Sequence, residues 1–546
     1  MTGDAPDSSG GVRLPTLDVM VIKRAIRTRR PGTAMIRPAR RPRRRLVVGG
    51  LAVVVLAGLV SACVPPPPPP PSVLEVATTP EFSPAFDPQI TDYVAPCGDG
   101  APITVSAAVP DGGLVSIDGQ PFQPGRFYTT TSRTEGLAFT VEYQAPPGQT
   151  SRTYYIRCLP TDFPRTTSVG TAQHAAWFVT DPIRLDQNFQ IRGRPIIFDR
   201  HGVPVWWGPD QLSAYTTVGP DGDLVSAFGD GLVGRNLDGS PSQIDVPIDQ
   251  HDAHDWVALA NGNFVVVVNQ QIENQDLRSI GGPPDGTLLN QVVQEVDPDG
   301  VVQWSWSVND HIAITEMAAQ FRPDVAPPIG NVYDVYHWNS IDAMGDGTYL
   351  LSFRHLNAVY KIDPAGGVIW RLSGEGPVTE GDQLTIVDDP AIPTADEHFG
   401  GQHDARVLGD GTSTSYEVAL HDNRTGLGAP RAVRYAIDET AKTATLLTST
   451  STSAAPTSMC CGSARWFSAG GWVTAIGGTT IGGELTAAGG RPFTIDLTAP
   501  WFYYRLTPFP QEQFAIEDLR AGMEAMWAPG AITTLDTRDH PPMPLP

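Results

Sequence analysis

The feature that most limits what this chain can become is an internal repeat in the part that follows residue 165. A short strand, a glycine turn and a second strand recur as TTVGPDGDLVSAF, HDWVALANGNFVVVV, WNSIDAMGDGTYLLSF and HDARVLGDGTSTSYEVAL. Between them lie the hairpins FDRHGVPVWW, VDPDGVVQWSW and IDPAGGVIWRL, each with an acidic residue, a turn and a tryptophan on the strand that follows. A unit of this size cannot bury both faces alone, so neighbouring units must stack on one another. Short strands in repeating groups with recurring tryptophans read as propeller blades. Six are expected, the last around SARWFSAGGWVTAIGG. No long amphipathic helix interrupts them before the tail, although ITEMAAQF could form a short one. The predicted fold is all-β: a six-bladed β-propeller over residues 165–546, preceded by a small β-sandwich.

In a propeller the first strand of each blade lines the central channel, so aligning the repeats on their glycine turns shows which side chains can meet there. His254 lies eight residues before Gly262, Asn339 eight before Gly347 and His403 eight before Gly411. His337 precedes Asn339 by two, and the strand period of two keeps both on one face. Arg354 follows on the next strand, in SFRHLNAVYKID. His355 is expected on the opposite face. His251, His398 and His421 fall out of register and read as supporting or structural, and Asp255 and Asp404 as orienting loops. A lone histidine at a strand end is usually a plain hydrogen-bonding group; three at equivalent places in a repeat argue for a shared site.

Several imidazoles with one guanidinium and an amide suit a compact anion with several oxygens, because the arginine fork and neutral donors hold oxygens while charge develops. One imidazole can serve as nucleophile and another as general acid or base near neutral pH. Paired carboxylates for glycoside cleavage, a Ser-His-Asp elbow and a phosphate-cradling loop are not apparent. With no carboxylate in register beside the histidines, a metal is not expected, and no cofactor is called for. Two rivals stand beside an enzyme: a non-catalytic extracellular propeller that binds a sulfated or phenolic ligand, and a quinone-cofactor dehydrogenase, which only the tryptophan hairpins favour.

The N-terminus speaks to location. Residues 1–63 hold twelve Lys and Arg against three Asp, about +9 of a chain whose net charge is -22, so the remainder is strongly acidic. No basic stripe with interleaved aromatics follows residue 63, which disfavours nucleic-acid binding. Arg43, Arg44 and Arg45 precede the apolar run LVVGGLAVVVLAGLV, about fifteen residues long and short for a membrane span. It ends in VSAC, which resembles a bacterial lipobox and implies cleavage before Cys63 and its lipidation; an uncleaved anchor is the other reading. The arginines are also compatible with twin-arginine export, and a start at Met35 would give the signal ordinary proportions. Both readings of the run put the bulk of the chain outside the cytoplasm, lipid-anchored to the outer face of the cell membrane in the first case.

After this leader, residues 64–72 hold the stiff proline run Pro65 to Pro71, a spacer. Residues 73–160 alternate short strands with turn pairs such as Asp111-Gly112 and Asp118-Gly119. Export permits disulfides. Cys97 and Cys158 share this segment and are expected to pair, whereas Cys460 and Cys461 are open between a strained vicinal disulfide and two buried thiols. SPAFDPQITDYV and RTYYIRCLP resemble the cadherin-like β-sandwich of bacterial surface proteins.

The segments YHWNSIDAMGDGTYLLSFRHLNAVYKID with IWRLSG, GGQHDARVLGDG with LHDN, and AHDWVALANGN resemble the bacterial arylsulfotransferase family. The resemblance covers about residues 165–510. It implies a six-bladed propeller that moves a sulfuryl group from an aryl sulfate to a phenolic acceptor through a sulfohistidine, without the nucleotide donor PAPS. By motif, His403 in QHDAR matches the nucleophile. His337 and Asn339 in HWNS and Arg354 in FRH match the sulfuryl-binding groups, and His254 in AHDW matches the other channel histidine, with a binding or a catalytic acid/base role. Trp338 between the two polar groups of HWNS, the Cys460–Cys461 turn and the lipid anchor depart from the family pattern. The resemblance leaves donor, acceptor and oligomeric state open.

Overall fold

The computed structural model of the chain describes residues 71–187, 190–322, 332–388 and 398–531. The basic leader, Cys63 and all of the proline run but Pro71 lie outside the described residues, as does the C-terminal end. Among the described residues, helix is confined to short turns and the segment Ile516–Met526. ITEMAAQF forms only a single 3-10 turn at Ile314–Glu316, since so short a segment cannot repay the cost of helix nucleation.

Between residues 75 and 158 two sheets share one core. A three-stranded sheet of Glu75–Thr79, Ile103–Ala108 and Arg126–Thr131 lies against a five-stranded one that includes Asp92–Ala95, Arg152–Cys158 and Ala138–Gln144. Alternating residues, among them Val76, Val105, Phe139, Val141 and Ile156, point into that core. Cys97 is bonded to Cys158 within it.

Beyond this, antiparallel units of four strands recur. One runs Thr216–Val218, Leu224–Phe228, Gly231–Arg235 and Pro241–Pro247, and the next Val257–Ala258, Phe264–Gln275, Gly286–Val296 and Val302–Ser307. Trp338–Ala343 through Val368–Ser373, His403–Leu408 through Thr443–Thr450, and Ser463–Phe467 through Phe493–Leu497 repeat the pattern. The ring closes on an antiparallel sheet in which the late strand Thr507–Phe509 pairs with the early strand Trp177–Thr180, followed outward by Ile196–Asp199 and Pro204–Trp207. The chain is thus an all-β protein with a propeller built from its repeats.

The aligned glycines are required for backbone reasons. Gly262 and Gly347 take left-handed φ of 87° and 84° with open space where a Cβ would sit, so the turn itself demands glycine. The recurring tryptophans have a second duty besides filling the core. Trp206 Nε1 donates to Leu237 O at 2.7 Å, Trp306 Nε1 to Gly366 O at 2.9 Å, and Trp370 Nε1 to the Tyr416 hydroxyl at 3.1 Å. Each bond crosses from one four-stranded unit to another, so the tryptophan repeat is a repeat of inter-blade pins.

Candidate active site

The side chains singled out in the repeats sit at or just before the inner strands. His254 belongs to the loop that leads into Val257–Ala258, and His337 immediately precedes Trp338–Ala343. Asn339 lies in that strand and His403 opens His403–Leu408. Arg354 is not on a strand: the chain leaves Tyr349–Phe353 and enters a 3-10 turn at Arg354–Leu356. The local backbone is unusual for non-glycine residues, with φ of 49° at His337, 59° at Asp404 and 62° at Cys461. Register shifts interrupt both inner strands, between Trp338 and Ser340 and between His403 and Arg406. Such bulges re-aim side chains, so a strict alternation of faces does not hold here.

The geometry brings the predicted residues together. The rings of His254 and His337 are 5.5 Å apart between centroids, and Asn339 Nδ2 donates to Gln402 O, next to His403, at 2.8 Å. The charge of Arg354 and the His337 ring both act on His403. All five side chains are buried. His355, expected to face away, packs on His337 at 4.5 Å, because the turn at Arg354 ends the strand alternation. His421 stands opposite His403 in the strand pairing. His251 is spent on Phe228 O at 2.7 Å and sits apart as a structural group.

His254, His337 and His403 each have Nδ1 engaged. His254 Nδ1 bonds Asp252, and His337 Nδ1 bonds Asp334 Oδ2 at 2.5 Å. Burial alone would push the Asp334 carboxyl up, but the imidazoles of His337 and His355 hold it well below the usual carboxylate range. His403 differs: its Nδ1–H donates to Asn423 Oδ1 at 2.8 Å and to Gly401 O at 3.0 Å, both neutral acceptors. Its Nε2 accepts the Cys461 backbone N–H at 3.0 Å. Burial, reinforced by the Arg354 charge, depresses His403 well below the ordinary imidazole value, with the Asn423 bond opposing. His403 is therefore a neutral imidazole whose lone pair is on Nε2, the form a nucleophile needs.

Asp334, His337 and His355 offer ligand atoms within 4.8 Å of one another, a carboxylate companion that the repeat register did not reveal. Their atoms are already committed among themselves. Asp334 receives His337 Nδ1–H, its carbonyl receives His355 Nδ1–H at 2.7 Å, and His355 Nε2 receives the Arg354 guanidinium at 2.8 Å. A guanidinium at that distance repels a cation, so the trio fits a hydrogen-bonded support for Arg354 and His337 better than a metal centre.

Beneath the site lies a buried ionic network. Asp255 bonds Arg406 at 2.5 Å and Arg505 at 3.0 Å, and Asp404 bonds Arg406 at 3.0 Å and also Arg465. Arg505 Nη2 donates to Asn339 O at 2.7 Å. Asp255 and Asp404, expected to orient loops, instead tie inner strands of different blades together. The loop partners Asp252, Asp334 and Asn423 and the arginines of this network were missed by repeat alignment. A lone arginine within an apolar segment, Arg505 in WFYYRLTP, is the sequence signal that could have led to the network.

Comparison with known proteins places these groups in context. Residues 233–478 match the family model described as Arylsulfotransferase (ASST), a stretch that contains every predicted site residue of the propeller. No curated protein matches the chain. A solved protein of unknown function from Bacteroides caccae is 10% identical, over 61% of this chain and 99% of its own, with a TM-score of 0.36. A quinonprotein alcohol dehydrogenase-like protein from Bacteroides thetaiotaomicron is 7% identical, over 78% and 97%, with a TM-score of 0.27. Virginiamycin B lyase from Staphylococcus aureus is 12% identical, over 60% and 81%, with a TM-score of 0.23. Over residues 233–478, then, this chain is similar to the arylsulfotransferase (ASST) family, whose model matches that stretch.

Proposed function

We propose that the protein transfers a sulfuryl group from an aryl sulfate to a phenolic acceptor, without PAPS, through a sulfohistidine at His403. The observation that carries this reading is the state of His403: neutral, buried, and held by Asn423 and Gly401 so that its lone pair is on Nε2. In the first half-reaction Nε2 attacks sulfur; the N–S bond forms, the bond from sulfur to the aryl oxygen breaks, and the electron pair leaves on the phenolate. His254 or His337, each backed by an aspartate, supplies the proton that the phenolate takes. The positive charge that grows on the His403 ring is met by the two carbonyl oxygens on its Nδ1–H. Arg354, Asn339 and His337 hold the sulfuryl oxygens as charge redistributes. An acceptor phenol then gives its proton to the same imidazole and attacks sulfur, returning the N–S electron pair to Nε2.

The same proposal has the protein exported and lipid-anchored at Cys63, with the proline run holding it off the membrane. The Cys97–Cys158 bond supports maturation in an oxidising environment. Transfer from 4-nitrophenyl sulfate to phenol, read by release of 4-nitrophenol, tests the function. Turnover that His403→Ala abolishes is expected. No turnover with any aryl sulfate, or an unaffected variant, would favour the binding-module reading.

A further inference from the structure

The loop between Thr443–Thr450 and Ser463–Phe467 closes over the site, and its backbone occupies the groups that a substrate needs. Met459 O accepts from Arg354 Nη2 at 2.9 Å, and Cys461 N–H lies on His403 Nε2. Asn423, whose Oδ1 holds His403 Nδ1–H, donates through Nδ2 to Cys461 O at 3.0 Å and to Ser458 Oγ at 2.7 Å. Within this loop Cys460 Sγ and Cys461 Sγ are 2.7 Å apart, both buried. That is well inside the contact distance of two unbonded sulfurs, and about 2.05 Å would be a bond. Neighbouring glycines let the chain pass this tightly: a Cβ on Gly477 would meet Cys460 O at 2.1 Å, and one on Gly462 would meet the His421 ring at 2.3 Å. A second observation is independent of the loop. Cys97 and Cys158 are bonded, so the fold is compatible with conditions in which thiols are oxidised.

We propose that Cys460 and Cys461 form a redox-modification site, a vicinal disulfide whose closure governs access to His403 Nε2. The oxidant is a low-molecular-weight disulfide. One cysteine thiolate attacks it and expels a thiolate, giving a mixed disulfide; the second cysteine then attacks the first and expels another. The protein loses two protons and two electrons, the small disulfide becomes two thiols, and one S–S bond forms. The small ring so closed contains the Cys460–Cys461 peptide. Closing it rotates that peptide and withdraws the Cys461 N–H, which otherwise ties up the His403 lone pair. The switch acts on the reactivity of His403 whatever group that residue carries.

The test uses the full chain, folded with a low-molecular-weight disulfide and then either left oxidised or treated with mild reductant. Alkylation and peptide mass report which cysteine pairs are open, and diethyl pyrocarbonate reports His403 reactivity. The expected result is that Cys460 and Cys461 resist alkylation before reduction, and that His403 is acylated roughly fivefold to tenfold faster in the oxidised form, the worth of one backbone hydrogen bond. Cys460→Ser and Cys461→Ser should abolish that difference while Cys97–Cys158 stays bonded. Free alkylation of both cysteines in the oxidised sample, or equal acylation rates, would overturn the proposal. Should the redox difference appear while no aryl sulfate marks His403 in either form, the switch stands and the sulfotransfer reading falls.

Discussion

At the scale of single residues, the account turns on how His403 is held. Its Nδ1–H meets two neutral carbonyl oxygens, while the other two channel histidines are backed by buried aspartates. His403→Ala should cost at least about a thousandfold in transfer. Asn423→Ala should cost about 10- to 100-fold, because it removes one hydrogen bond to a ring that becomes charged. Steady-state rates on folded variants check both. The depressed value of His403 also sets a pH dependence: lowering an imidazole's value keeps it neutral to lower pH, so sulfuryl uptake by His403 should persist well below about 6.5, where an ordinary histidine would be half protonated. Single-turnover rates against pH check this, and an acid limb at the ordinary value would contradict it. His254, His337, Asn339, Arg354 and His403 were legible in the sequence because each stands at a fixed distance from a repeated glycine or from another member of the set. Asp252, Asp334 and Asn423 were not, because they lie in irregular segments or at the end of a second strand, outside the aligned register.

At the scale of the elements, the inner strands are held by charge and the outer ones by tryptophan. Asp255 and Asp404 each bind more than one arginine in a buried network, and removing one carboxylate strands those charges. Asp255→Ala should therefore destabilise the fold by about 3–5 kcal/mol, measured by chemical denaturation. The Trp370 ring fills the core while its N–H reaches Tyr416 in the adjoining unit. Trp370→Phe, which keeps most of the volume, should cost about 1–3 kcal/mol for the N–H shared between Tyr416 and Glu439 that it removes. Trp370→Ala should cost about 3–5 kcal/mol. The strands themselves were readable from alternation and glycine turns. The bulges at Trp338 and His403 were not, since an extra residue in one strand depends on which partner it pairs with. His355 was assigned to the wrong face for a separate reason, because the 3-10 turn at Arg354–Leu356 ends the strand alternation before it.

At the scale of the whole molecule, Thr507–Phe509 closes the ring by pairing with Trp177–Thr180, and Ile516–Met526 then packs Leu519, Met523 and Met526 against Trp206 and Trp207. The same helix reaches the N-terminal sheets through Arg520 to Asp92 and Glu524 to Arg157. Sequence repeats announce stacked units, but the strand that completes the last sheet comes from the far end of the chain and carries no repeat signature. The Cys97–Cys158 bond closes a loop of 61 residues, and its loss should lower stability by about 4 kcal/mol on a chain-entropy estimate, seen as a fall in Tm for Cys158→Ala. The central claim, that His403 carries the transferred group, is tested most directly by mass spectrometry of the protein after brief exposure to 4-nitrophenyl sulfate. The account predicts the mass of one added sulfuryl group on the peptide containing His403, lost again when phenol is supplied. An unmodified His403 peptide from protein that is releasing 4-nitrophenol, or a sulfuryl group carried on another residue, would contradict it.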